Sequence, residues 1–397
     1  MKISRRALGI SSSPTLTIDA RAKQLKSEGV DVIGFGAGEP DFDTPEHIRD
    51  AAMAAIREGF TRYTPAGGIP ELKEAVCHKF KRDNNLRYSK AQIVVSNGAK
   101  QSLANIFMAI LDAGDEVIIP TPYWVSYPEL VKLADGIPVC IEAAEKDGYM
   151  LTAALLKKHL SPRTRAIVVN SPSNPTGLLY TQEELFAIAA YAIKNNLWII
   201  SDEIYEKLIY DDAEHISIAS LGEEIKKRTI VVNGVSKAYA MTGWRIGYTA
   251  SEPELAAAMD RIQSHATSNP NSIAQKAALA ALSGPQQCVE EMRQVFSGRR
   301  SYALGRINKM PYLSCGTPEG AFYLFVNAGQ ACGRNFRGTT ITDTDKLAAL
   351  LLEHYRVAIV PGRGFGAPEY VRLSYATSME NISAGLDRLE AFLRELQ

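Results

Sequence analysis

The chain has 397 residues, of which 46% are hydrophobic and 22% charged, with 44 Lys+Arg against 44 Asp+Glu. That length exceeds one ordinary domain, and the charge balance removes the simplest basis for binding nucleic acid or an anionic membrane, though not small anionic substrates. Five widely spaced cysteines without a C-x-x-C, and six histidines without an H-E-x-x-H, give no reason to expect a disulfide framework or a metal site.

Taken in chain order, the first six residues include Lys2, Arg5 and Arg6 but no apolar stretch follows them, and no apolar run reaches the ~20 residues needed to span a bilayer. A cytoplasmic protein without a secretory leader is expected. Gly34-Phe35-Gly36-Ala37-Gly38 is not G-x-G-x-x-G, and Glu39-Pro40-Asp41 follows where a helix should begin, so no dinucleotide loop is read there. Between about 90 and 250 short apolar runs (92–95, 116–119, 166–169, 198–200, 229–232, 246–249) alternate with amphipathic helical stretches such as 100–111 and 182–195. This pattern predicts an α/β fold with a mainly parallel sheet covered by helices on both faces. From 255 onward helical patterns dominate, with later strands at 321–326, 358–360 and 370–374. They predict a smaller α+β domain, residues 1–44 plus 286–397, beside a large domain of 45–285.

Polar residues follow most of the strands, and in parallel α/β sheets ligands bind outside the carboxyl ends of strands. Lys237 stands at such an end, beside Ser236 and eight residues before Arg245. Desolvation there lowers an amine's pKa toward nucleophilic use. Ser236 and Arg245 are suited to hold a phosphate, and a lysine beside a phosphate site suggests a Schiff base with pyridoxal phosphate. The plain alternative is a solvated loop lysine. Asp202 ends a buried strand and needs a cationic partner, such as a protonated pyridine nitrogen, or else is the N-cap of a helix over 203–208. Tyr205 is either a donor to a phenolate oxygen or plain core.

Asn174-Pro175-Thr176-Gly177 is a turn from which the Asn174 amide can donate. Gly98 and Ala99 open a helix whose free N–H groups suit an anion, and Trp124 offers a plate for a flat ring. Arg372 lies within a short apolar strand, where it needs a partner: a substrate carboxylate or a structural acid.

Gly38-Glu39-Pro40-Asp41-Phe42, Tyr63-Thr64-Pro65-Ala66-Gly67-Gly68, Asn170 to Gly177, Ser201-Asp202-Glu203-Ile204-Tyr205, Ser236-Lys237 and Arg372-Leu373-Ser374 together resemble class I aminotransferases of pyridoxal-phosphate fold type I. Their order and spacing match over nearly the whole chain. Gly98-Ala99-Lys100-Gln101, Pro122 to Pro128 and Ala240 to Arg245 look most like the bacterial aspartate aminotransferases of the subgroup that includes aspartate/prephenate enzymes.

The resemblance implies that Lys237 forms the Schiff base and shuttles a proton, and that Asp202 pairs with the ring nitrogen. It implies that Asn174 and Tyr205 bind the phenolic oxygen and that Trp124 stacks on the ring. Gly98, Ala99, Ser236 and Arg245 would hold the phosphate, with Lys100 nearby. Tyr63 would reach the phosphate of a partner subunit, making a homodimer with shared active sites. Arg372 would clamp the substrate α-carboxylate with Gly38 closing near it, and Lys100 would take the distal carboxylate. The small domain would close over the bound substrate.

Enzymes of the subgroup that also accept prephenate carry Lys-Pro-Ser-x-Thr near the N-terminus, whereas this chain reads Ser11-Ser12-Ser13-Pro14-Thr15. The missing lysine at Ser11 favours aspartate. The expected activity is therefore transfer of the amino group of L-aspartate to 2-oxoglutarate by ping-pong half-reactions. Alternatives are a transaminase for another amino acid (glutamate–prephenate, alanine or aromatic), a C–S lyase on the same fold, or a regulator without turnover.

Overall fold

A computed structural model describes residues 2–397. The short strand β1 (Ile33–Gly34) belongs to the smaller unit. Seven strands then build the central sheet: β2 (Ile93–Ser96), β3 (Glu116–Thr121), β4 (Ile137–Glu142), β5 (Thr164–Asn170), β6 (Trp198–Asp202), β7 (Thr229–Gly234) and β8 (Gly247–Ala250), in the order β2-β8-β7-β6-β5-β3-β4. Neighbours from β7 to β4 run parallel, and β8 is antiparallel to both β7 and β2.

Successive residues of a strand point to opposite faces, and here both faces are buried. Val94, Val117, Val168, Ile200 and Val232 pack on one side with helices Ala99–Ile110, Ser126–Leu133 and Pro253–Ala266. Val95 and Val231 on the other side meet Pro70–Asn84 and Ser272–Ser283. Ile118, Ile167 and Ile199 meet Gln182–Lys194. Continuous burial explains why these strands read as unbroken apolar runs.

The edge strand β4 escapes that reading. Five of its six residues are exposed or half-exposed, Ile141 alone being buried, and Pro138 has no N–H to donate, which only an edge tolerates. The segment after β6 is a turn, so no helix forms over 203–208 and Asp202 is not a helix N-cap.

The smaller unit is built on β9 (Tyr323–Asn327), a hairpin of β10 (Asn335–Phe336) and β11 (Thr339–Thr340), then β12 (Val357–Ala358), β13 (Val360–Pro361) and β14 (Tyr370–Ser374). The apolar run at 358–360 divides: β12 pairs parallel with β1, while β13 joins the antiparallel sheet β13-β14-β9. Helices Gln287–Ile307, Thr344–Tyr355 and Met379–Arg394 cover it around Phe296, Phe322, Leu351, Val371 and Phe392. The β1–β12 pairing ties Ile33 and Gly34 to this unit. Among the described residues no helix is long and apolar enough to cross a membrane.

Candidate active site

The carboxyl ends of β5, β6 and β7, the start of helix Ala99–Ile110 and strands β9 and β14 surround a cavity of about 500 Å³. Ala99, Lys100, Trp124, Asn174, Asp202, Tyr205, Ser236, Lys237, Arg245 and Arg372 line it, as does Gly38. Segments almost 340 residues apart in sequence thus meet; Arg372 Nη2 donates to the Gly36 carbonyl oxygen across 336 residues, at 3.0 Å.

Lys237 follows β7, and its Nζ donates to the carbonyl of Gly38. The amine lies 5.9 Å from the Tyr205 ring centre and 5.7 Å from that of Phe322. Burial is the main force lowering its pKa to about 8; Arg372 and Arg245 push the same way, and Glu39 and Asp202 oppose them. Such an amine gives up its proton far more readily than a solvated lysine.

Asp202 ends β6 with 4% exposure. Its Oδ2 accepts from the Tyr127 hydroxyl at 2.7 Å and its Oδ1 from the Ile204 N–H at 3.3 Å. Burial raises its pKa to about 6, the two hydrogen bonds pulling the other way. A cation brought to this carboxylate would relieve that cost. The Tyr205 hydroxyl shares a hydrogen bond with that of Tyr323 at 2.9 Å, and burial lifts its pKa well above the ordinary phenol value.

Arg372 in β14 is 2% exposed. Its Nη1 donates to Asn174 Oδ1 at 3.0 Å, and its guanidinium carbon lies 4.3 Å from the Tyr323 ring centre. No carboxylate side chain bonds it, and its Nε is buried without a partner. A structural salt bridge is therefore not its role here; a cation held by neutral partners and facing a cavity suits an incoming carboxylate. Because Asn174 accepts through its oxygen, its amide nitrogen is free to donate. Gly36 supplies the backbone carbonyl that Arg372 bonds, and Gly38 the one that Lys237 bonds.

A cup for an anion forms where helix Ala99–Ile110 begins. Gly98, its N-cap, has φ +83°, and a Cβ there would lie 2.4 Å from Arg245 Nη2. A Cβ at Gly247 would lie 2.2 Å from the Ala99 nitrogen. The two glycines let the turn, the strand and the guanidinium close together. Arg245, itself left-handed at φ +58°, is held by donating to the carbonyls of Thr242 at 3.0 Å and Asn97 at 3.3 Å. First-turn N–H groups lack intrahelical partners, so this cup, with Ser236 beside it, carries the donors and charge a phosphate needs.

Trp124 packs edge-on against Tyr127, with ring centres 5.3 Å apart. Lys100 Nζ lies 5.1 Å from the Trp124 ring centre, and burial, with Arg245 nearby, lowers its pKa. Lys100 also lines a side groove with Ser11, whose backbone N–H donates to Glu129 at 2.9 Å. Tyr63 is 90% exposed and lies outside the cavity lining.

Tyr127, Asn170, Tyr323 and the mouth residues Asp19, Lys23 and Glu39 belong to the site without having been singled out from sequence. For Tyr127 the available signal was its place three residues after Trp124, at the start of the helix that follows. Asn170 Nδ2 donates to the Asp202 carbonyl at 3.0 Å while its Oδ1 accepts from the Asn174 N–H at 2.8 Å, bracing two site loops.

The mainly parallel sheet with helices on both faces, with Lys237 after β7 and the buried Arg372 of β14 facing one cavity, fits fold type I. Residues 30–389 match the family model for aminotransferase class I and II, and the chain belongs to that family. It is 51% identical to the aspartate aminotransferase of Geobacillus stearothermophilus and 50% identical to that of Bacillus subtilis strain 168, over 99% and 100% of each chain respectively. The solved structure of the aspartate aminotransferase from Rhizobium meliloti superposes with a TM-score of 0.96 at 44% identity, covering 100% of both chains.

Proposed function

We propose that the protein transfers the amino group of L-aspartate to 2-oxoglutarate, giving oxaloacetate and L-glutamate, with pyridoxal 5′-phosphate as cofactor. The observation that carries this reading is the convergence of Lys237, Asp202 and Arg372 on one cavity beside the Gly98–Arg245 cup. The cofactor's donor requirements fit the residues present: a cradle that side chains at Gly98 and Gly247 would fill, and a buried carboxylate lacking a cationic hydrogen-bond partner. When bound, the cofactor supplies an aldehyde for amines and a pyridinium ring that withdraws electrons from the substrate's α-carbon.

The chain's own residues do the rest. The Gly98 and Ala99 backbone, Ser236 and Arg245 would hold the phosphate. Trp124 would stack against the ring, Asp202 would pair with its nitrogen, and Asn174 and Tyr205 would donate to its phenolic oxygen. Lys237 Nζ, with a pKa near 8 before loading, holds and returns the proton at the α-carbon. Arg372 grips the α-carboxylate, and Lys100 takes the distal carboxylate of a dicarboxylate donor.

We further infer that residues 45–285 form the large domain and that 1–44 with 286–397 close over the site. The exposed, outlying Tyr63 supports a homodimer in which it serves the partner's phosphate. We infer a cytoplasmic location. Activity is tested on the loaded protein: its visible cofactor absorbance should fall on adding L-aspartate and return with 2-oxoglutarate. A spectrum indifferent to aspartate would reject the substrate assignment.

A further inference from the structure

Two neighbouring aromatic residues line the cavity. Trp124 precedes helix Ser126–Leu133, and Tyr127 lies in its first turn three residues on. Trp124 borders the cavity where a flat ring would stack. Tyr127 is 2% exposed, and its hydroxyl donates to Asp202 Oδ2 at 2.7 Å. The rings stand nearly perpendicular, at 83°, in an edge-to-face contact.

We propose that Tyr127 is the positioning residue for Asp202: its hydroxyl fixes the plane of the carboxylate and keeps its charge turned toward the ring nitrogen of the cofactor. The inference rests on the cofactor reading above.

The hydrogen-bond inventory of Asp202 supports it. Oδ1 is held by the Ile204 N–H, at a long 3.3 Å, and Oδ2 by Tyr127 at the shorter distance. A carboxylate offers about four lone-pair sites, so two remain for a ligand. With only the long backbone bond, the carboxylate would be free to rotate away or to take up a proton in its buried surroundings. A phenol suits the task because burial and the Asp202 charge lift Tyr127's pKa well above its ordinary value. It therefore stays a donor at every working pH. A phenylalanine would keep the packing against Trp124 and remove only this bond.

The test uses the full chain stripped of cofactor and two probes: pyridoxal 5′-phosphate and its analogue with C–H in place of the ring nitrogen. Binding is followed by quenching of tryptophan fluorescence. Tyr127→Phe should weaken the natural cofactor about tenfold, the size expected for one hydrogen bond to a charged group, and change the analogue less than about twofold. In an Asp202→Asn background the same substitution should have no further effect on the natural cofactor. Equal weakening of both probes, or an undiminished effect in the Asp202→Asn background, would show a packing role and overturn the proposal, as would unchanged affinity for both. If the unmodified chain binds neither probe, the cofactor reading itself falls and this inference with it.

Discussion

The floor and the mouth of the cavity are built by different rules. On the floor, Asp202, Tyr127, Asn174 and Arg372 are all buried; Asp202 accepts from Tyr127 at 2.7 Å, and Arg372 donates to Asn174 and to the Gly36 carbonyl at 3.0 Å each. At the mouth, Asp19 and Lys23 form an exposed pair at 2.8 Å on helix Pro14–Ser27, and Glu39 accepts from Thr242 at 2.8 Å. Exposed pairs of this kind contribute about 0–1 kcal/mol, whereas removing one partner of a buried charge costs several times more. The contrast separates two tasks. On the proposed function, the floor would set chemistry common to every amino donor, and Lys100 beside the mouth would choose among donors at little cost to the fold.

Substitutions on the floor should therefore act on all donors alike. The largest effect belongs to Lys237→Ala, which should lower kcat/KM for aspartate on the order of 10⁴-fold or more, since the proton-transfer group is lost. Steady-state kinetics on the loaded variant check this. Arg372→Leu should lower kcat/KM about 100-fold or more for aspartate and alanine equally, because both present the same α-carboxylate. A loss confined to aspartate would move Arg372 to the selecting side of the comparison.

Asp202 gives a pH signature in the cofactor-free protein. Its folded pKa, about 6, lies above the ordinary 3.8. Between those values the folded state therefore binds more protons than the unfolded one, and stability falls as pH rises through that window. The expected loss is roughly 2 kcal/mol from pH 4 to 6.5, with Asp202→Asn lacking this component in denaturant titrations. Below the unfolded pKa both states are protonated and the contribution is fully present.

The smallest effect concerns selection. Lys100→Ala should cost about tenfold in kcat/KM for aspartate and leave alanine nearly unchanged. An equal loss for both donors would place Lys100 with the floor.

The floor was legible in the sequence where single strands deliver it. The apolar runs before Asp202 and Lys237 mark buried strands, and a polar residue at the end of each points to the ligand edge. What escaped are pairings across the fold. Tyr127 and Asp202 lie 75 residues apart, and Tyr205 and Tyr323 lie 118 apart. Periodicity tells which face a residue occupies but not which distant partner waits there. β4 escaped for another reason: Pro138 and its exposed positions break the apolar run that identifies interior strands. Arg372 was left between a substrate clamp and a structural pair, because the absence of an acid beside it is visible only in three dimensions. The mouth was least legible, since solvated charges at Asp19, Lys23 and Glu39 look like any surface.

The central claim is that Lys237 is the cofactor's covalent anchor. Borohydride reduction of the protein loaded with pyridoxal 5′-phosphate, followed by peptide mass spectrometry, tests it directly. The account predicts one phosphopyridoxyl group per chain, on Lys237, and none on Lys100. Stable labelling of another lysine with Lys237 unmodified would contradict it.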